Sequence, residues 1–163
     1  MESMFSGCSS LNELNLSNFN TNNVTNMRYM FWGCSSLKEL NLPNFNTNKV
    51  KDMDSMLSDC PSLKVLNISN FNTNNLKHMC YMFFNCSSLE ELNASNFNIH
   101  NVIAMERMFP GCASLKGLNL YKFNNSSMTD MRCMFSGCSE QLKMKIRAQY
   151  ANIKELAFDN DDE

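Results

Sequence analysis

LKELNLPNFNTNKVKDMDSMLSDCPSL, residues 37–63, holds one full period of a pattern that runs through the chain. Within it Leu40 and Leu42 alternate with the polar Glu39 and Asn41, the period of two that marks a half-buried strand. Pro43 follows, at a place where no N–H is needed for a ladder. Val50, Met53, Met56, Leu57 and Cys60 then recur at a spacing that puts them on one face of a short helix. Thr47 and Asn48 lie just before that stretch and supply side-chain oxygens suited to capping it. One period thus reads as strand, turn, short helix, turn.

Working outward, the same residue types return every 26 positions. Met4, Met30, Met56, Met82, Met108 and Met134 share that interval, as do Cys8, Cys34, Cys60, Cys86, Cys112 and Cys138. Leu11, Leu37, Leu63, Leu89 and Leu115 keep it, and so do Phe19, Phe45, Phe71, Phe97 and Phe123, with no insertion. A fixed period of this length means stacked units, each burying its apolar face against its neighbours. The 14 methionines and 12 phenylalanines of the composition are products of this repeat. Stacking in register predicts an α/β leucine-rich-repeat solenoid of about six 26-residue units. A parallel sheet lines its concave side and short helices its convex side. Leu37, Leu40, Leu42, Phe45, Val50, Met53, Met56, Leu57 and Cys60 are the expected core, each large side chain contributing roughly 1.5–3 kcal/mol on burial. Ala94 replaces a strand leucine, which predicts a local packing deficit.

The domain division expected is tandem repeats over 1–138 and a C-terminal cap with an acidic tail over 139–163. Leu142, Met144 and Ile146 suggest a last strand, and residues 148–158 an amphipathic helix before the tail DNDDE. Met1 aligns with Met27, so the chain starts partway through a unit and leaves its first face uncapped. That face is expected either to belong to a longer array or to be covered by another subunit. The opening MESMFSGCSS has neither the basic start nor the apolar core of a secretory signal. The chain as given therefore reads as a protein that stays in its cell, or as a mature piece of a longer secreted one.

The motif L-x-x-L-x-L-(P)…V-x-x-M-x-x-M-F-x-x-C-x-x-L, as in Leu37–Leu63, resembles the BspA-type leucine-rich repeats of bacterial surface proteins. It is most similar to the 26-residue repeat of mycoplasma, listeria and related surface lipoproteins. Met-Phe before Cys and the N-F-N-T segment carry the likeness over residues 1–138. Where that family has aspartates in this segment, this chain has mostly asparagines, and it shows no lipobox cysteine or cell-wall anchor. The resemblance implies a leucine-rich-repeat fold, a cell-surface or extracellular location, adhesion or host-protein binding, and no catalytic residues.

A net charge of −2 supplies no basic field for nucleic acid or anionic membrane, and no apolar run approaches membrane-spanning length. The eight cysteines include no C-x-x-C pair for zinc. Six of them sit on the repeat as small buried hydrophobes, and no metal or cofactor is expected. Cys80 and Cys133, at outward helix positions, are the more reactive pair in this reading. His78 and His100 lack a nucleophile partner, and no paired carboxylates, triad or phosphate loop stands above the repeat. Trp32 and Phe84 replace Ser or Pro just past the helix, as exposed contacts or as covers for the core edge. Asn15, Asn41, Asn67, Asn93 and Asn119 hold the polar strand position facing the concave side, where stacked amides can bond one another. Asn20, Asn46, Asn72, Asn98 and Asn124 form a second ladder in the turn, where they satisfy backbone groups. A partner-binding surface is expected at Glu13, Asn15, Glu39, Asn41, Asn67, Glu91, Asn93, Asn119 and Tyr121. Val65, Gly117 and Tyr121 break the columns and would set specificity. The partner is a protein, in the first instance a host surface or matrix protein. The alternatives are a structural array that self-associates through its uncapped N-terminal end, and an intracellular interaction protein.

Overall fold

Four short strands, Glu39–Asn41 (β1), Val65–Asn67 (β2), Glu91–Asn93 (β3) and Gly117–Asn119 (β4), recur at the repeat interval in the computed structural model, which describes residues 1–119, 129–150 and 153–160. β1, β3 and β4 bury their central leucine, and the flanking residues of β1 and β3 face outward, as the alternation requires; in β2 the central Leu66 is only half-buried. The pairing is parallel, with Leu40 opposite Leu66 and Leu92 opposite Leu118. The register is therefore the repeat itself.

The stretch read as a helix is not one. Leu57, Met56, Met53, Val50 and Cys60 are all fully buried, as their spacing requires, but the backbone runs through successive turns. Tyr29 and Gly33 have positive φ of 53° and 70°, and Ser55 with Asp59, Tyr81 with Asn85, and Arg107 with Gly111 repeat that pair. A left-handed residue every fourth position cannot belong to an α-helix. Backbone hydrogen bonds divide cleanly instead. The N–H groups of Met30, Trp32 and Cys34 close turns onto Met27, Tyr29 and Phe31. Those of Met27, Tyr29, Phe31 and Gly33 donate to the carbonyls of Asp52, Asp54, Met56 and Ser58 in the next unit, at 2.9–3.1 Å. Half the groups are satisfied within a unit and half between units, so buried backbone is not left unpaired. The three-residue turns give apolar residues almost the spacing of a helix face, which is why the core was legible and the element was not.

This outer ladder is continuous, with parallel pairing through Asn26, Asp52, His78, Ala104 and Asp130. Across the columns from Met27 to Gly33 it also has one direction. Every inter-unit bond between backbone groups there runs from an N–H to a carbonyl of the following unit, while the Cys80 N–H donates back to Asp54 Oδ1 of the preceding unit at 2.7 Å. The inner sheet is interrupted. β1 pairs with β2 and β3 with β4, but β2 does not pair with β3. Lys64 N–H donates to Lys38 and Lys116 N–H to Glu90, both at 2.8 Å, and no Glu90-to-Lys64 bond stands between them. Likewise Leu42 N–H reaches Asn67 and Ala94 N–H reaches Asn119, whereas Ile68 N–H has no counterpart bond to Asn93. The seam coincides with the unit in which Ala94 replaces the larger side chain.

The core is columnar. Phe83, Phe109 and Phe135 stack with centroids 5.4 and 5.6 Å apart and nearly parallel planes, and Phe5 stacks on Phe31 at 5.5 Å. Beside them the thiols of Cys34, Cys60, Cys86, Cys112 and Cys138 donate to carbonyls of the preceding unit at 3.0–3.4 Å. At the C-terminal end the expected last strand is a helix, Glu140–Gln149 (α1). Ser139 caps it by accepting the Leu142 N–H, and Leu142 and Ile146 enter the core. Of the amphipathic helix expected over 148–158, residues 148–149 belong to α1, 151–152 lie outside the described residues, and the described stretch beyond them holds a 3₁₀ turn, Glu155–Ala157. That turn completes the outer ladder: Cys133 N–H bonds Leu156 and Phe135 N–H bonds Ala157. Phe158 stacks on Phe135 at 5.5 Å, with the Arg147 guanidinium 3.9 Å from the Phe158 ring centroid.

In the turn after each strand, Thr47 Oγ1 donates to the Asn72 carbonyl at 2.9 Å and accepts the Asn72 N–H at 2.7 Å. Thr47 is 1% exposed. Thr47→Val keeps the shape but orphans both backbone groups of Asn72, so it is expected to cost about 2 kcal/mol. In scanning calorimetry that is a melting-point loss of roughly 4–8 °C. A shift within 1 °C would show that these threonines do not tie the units together.

A candidate recognition surface on the sheet face

Period-two alternation leaves a row of polar side chains on the outer side of the strands. Glu39, Asn41, Asn67, Glu91, Asn93 and Asn119 are all exposed there, as are Glu13 and Asn15 in the unit before β1. Tyr121 lies outside the described residues. The asparagines of this row do not form the amide-to-amide ladder expected of them. Asn15, Asn67 and Asn93 each turn Oδ1 back to accept the N–H two residues on, from Ser17, Ser69 and Ser95, at 3.0–3.2 Å. Such local turns compete with stacking because an amide oxygen finds its own backbone first. Asn41 has no such donor ahead of it, since Pro43 carries no N–H. Amide-to-amide bonds occur instead in the second ladder, where Asn46, Asn72 and Asn98 donate to Asn22, Asn48 and Asn74 at 2.8–2.9 Å. Asn124 of that ladder lies outside the described residues.

The face is not uniform. One depression of about 400 Å³ is lined by Asn12, Glu13, Leu14, Lys38, Glu39 and Asn41. A second, of about 480 Å³, lies over β3 and β4 and is lined by Glu91, Leu92, Asn93, Gly117, Leu118, Asn119 and Gln149 of α1. The structure thus gathers Glu13, Glu39 and Asn41 at one place and Glu91, Asn93 and Asn119 at another, with Asn67 between them. Lys38 and Gln149 were missed in the sequence. Lys38 sits in the lysine-rich column Lys38, Lys64 and Lys116 and could have been noticed there, whereas Gln149 is placed by the unforeseen α1. Lys116 pairs with Glu90 at 2.8 Å, and this contact holds the Glu90 carboxyl below its ordinary range.

Other expected sites change character. Cys133 is 9% exposed and Cys80 is half-buried. Burial, with Asp54 and Glu106 adding negative charge nearby, pushes the Cys80 thiol up to about 12. These two are therefore not the reactive thiols. Cys8, in the first unit, is the exposed cysteine. Trp32 is 42% exposed and donates its indole N–H to Asp59 at 3.0 Å, while Phe84 is half-buried edge-on to Tyr81. Among the described residues no three His, Cys, Asp or Glu side chains converge as metal ligands, and no helix is long and apolar enough to cross a membrane.

A family model described as "Mycoplasma protein of unknown function, DUF285" matches residues 1–66 and 39–149. The chain belongs to this family. No curated protein matches it. Among solved structures it is similar to the leucine-rich repeat protein TpLRR of T. pallidum. The TM-score is 0.58 and the identity 21%, over 94% of this chain and 66% of that one. It is also similar to a leucine-rich cell surface protein of Faecalibacterium prausnitzii A2-165, at TM-score 0.44 and 17% identity over 72% of this chain and 32% of that one. The fold of this DUF285 member is thus that of leucine-rich repeats, and its units are of the BspA-like type. The chain spans 66% of the length of TpLRR.

Proposed function

We propose that this chain is a non-enzymatic protein-binding module of a bacterial surface protein. In this reading it is a solenoid of about six units that engages its partner on the concave sheet face, with residues 139–163 closing the C-terminal end. One observation carries it: a row of exposed carboxylates and amides, Glu39, Asn41, Asn67, Glu91 and Asn93, set in register on a face whose alternate residues are the core. A rigid, repeated backbone presents these groups without an ordering cost, which favours recognition. The reading is tested by surface plasmon resonance of the chain over immobilised purified matrix glycoproteins. Binding that falls at least about tenfold, roughly 1.4 kcal/mol, for a Glu39→Lys/Glu91→Lys variant supports the sheet face. Unchanged affinity places the contact elsewhere.

A further inference from the structure

The seam between β2 and β3 lies midway along the sheet face, between the two depressions. Val65 occupies the column that holds Glu39 in β1 and Glu91 in β3, and it is 54% exposed. Leu66 beside it is only half-buried, whereas its equivalents Leu40 and Leu92 are 1% and 3% exposed. Along the seam the bonds that would join Ile68 to Asn93 and Glu90 to Lys64 are absent. Backbone groups without a protein partner must be served by solvent or by a bound molecule. The centre of an otherwise polar face therefore combines exposed apolar surface with free backbone hydrogen-bonding capacity. On one side of Val65 the carboxylate of Glu39 lines the first depression, and on the other Glu91 lines the second. With hydrogen-bonded strands about 4.8 Å apart and the unpaired seam adding at least as much, the two columns stand roughly 10 Å or more from each other.

We infer that this seam is the anchoring point of the partner, a polypeptide segment that seats one aliphatic side chain on Val65 and Leu66 and reaches the Glu39 and Glu91 depressions with cationic side chains on either side. The inference rests on the sheet-face reading and sharpens it. An apolar centre excludes water, and desolvation strengthens the flanking charge pairs, the arrangement in which few residues carry most of the affinity. Glutamate at position 65 would restore the column's own residue type, so the departure itself creates the apolar seat. Specificity then comes from the order cation, aliphatic, cation and not from net charge.

The test uses the full chain and a fluorescein-labelled peptide, Gly-Lys-Gly-Leu-Gly-Lys-Gly, followed by fluorescence anisotropy. Two controls replace its leucine by serine or its lysines by glutamates. The expected result is saturable binding that weakens about tenfold or more with either control peptide and with Val65→Glu. Val65→Glu is diagnostic because it adds negative charge: simple attraction of a basic peptide would be strengthened by it. A second readout is hydrogen exchange, where the amides of Leu66 and Ile68 are expected to slow when the peptide is added. Binding that is unaffected or tightened by Val65→Glu, equal binding of the leucine and serine peptides, or no binding at millimolar peptide overturns the inference. If Val65→Glu leaves capture of a matrix glycoprotein intact while the Glu39→Lys/Glu91→Lys variant abolishes it, the seam assignment fails and the sheet-face reading stands.

Discussion

Raised from pH 9 toward pH 12, the chain is expected to unfold cooperatively, and well before its lysines are fully neutralised. Cys60, Cys86, Cys112 and Cys138 lie in one column, at most 5% exposed. Burial, the largest cause at each, pushes the thiols of Cys60 and Cys138 up to about 12 and those of Cys86 and Cys112 up as well, from an ordinary 9.0. A thiol whose folded value is raised stays protonated in the native state while the unfolded chain ionises. Stability is then intact below pH 9 and is lost as pH climbs toward the folded values. Each such thiol removes about 1.4 kcal/mol per pH unit in that window, so four remove on the order of 5 kcal/mol per unit. Domains are stable by only about 5–15 kcal/mol, which places the transition roughly between pH 10 and 12. Circular dichroism against pH reads it, and the variant with alanine at all four positions separates thiols from lysines and tyrosines. That variant is less stable at pH 7 and its stability falls less steeply above pH 9. Parallel alkaline slopes for the two proteins would show that the thiol column does not control the transition.

Removal of one ring from the phenylalanine column should have the largest effect of any single substitution. Phe109 is fully buried and lies between Phe83 and Phe135 at 5.4 and 5.6 Å. In Phe109→Ala both neighbours lose their stacking partner, and the outer ladder, fixed at its own spacing by Phe109 N–H to Met134 and its fellows, prevents collapse around the void. A cost of about 3–5 kcal/mol follows from the transfer and cavity contributions. The denaturation midpoint in urea should fall correspondingly with an unchanged slope. Phe109→Leu, which refills most of the volume, should recover more than half of the loss. A cost under about 1 kcal/mol for the alanine variant would mean that the column slides shut.

Much of this was legible in residues 37–63. The leucines at 40 and 42, the phenylalanine at 45 and the Val-Met-Met-Leu-Cys series were read as core, and all are buried. Burial is visible because it depends on side-chain type at a fixed interval. The backbone path was not visible, because turns of three residues place apolar side chains almost as a helix does. Tyr29 and Ser55, which hold the left-handed conformation, are not residue types that announce it. Gly33 was a weak hint, weakened further by Asp59 and Asn85 at the same place in later units. On the sheet face, the exposed row was legible from alternation alone. The side-chain bonding of Asn67 was not, since an amide chooses between its neighbour along the stack and the serine two residues ahead. Val65 stood out as a break in its column, but nothing in the sequence revealed that the strand pairing opens beside it.

Because the inter-unit backbone hydrogen bonds in the columns from Met27 to Gly33 all run one way, their peptide dipoles, about 3.5 D apiece, add along the stack as they do in a helix. Bonds that run back, such as Lys51 N–H to Thr25 and Lys77 N–H to Lys51, offset part of that sum. This stretch of each unit is therefore electrically polar without a long helix, its carbonyls facing the preceding unit and its N–H groups the following one. A cation is favoured against the first side and an anion against the second, so charge is not interchangeable between the two directions of the stack.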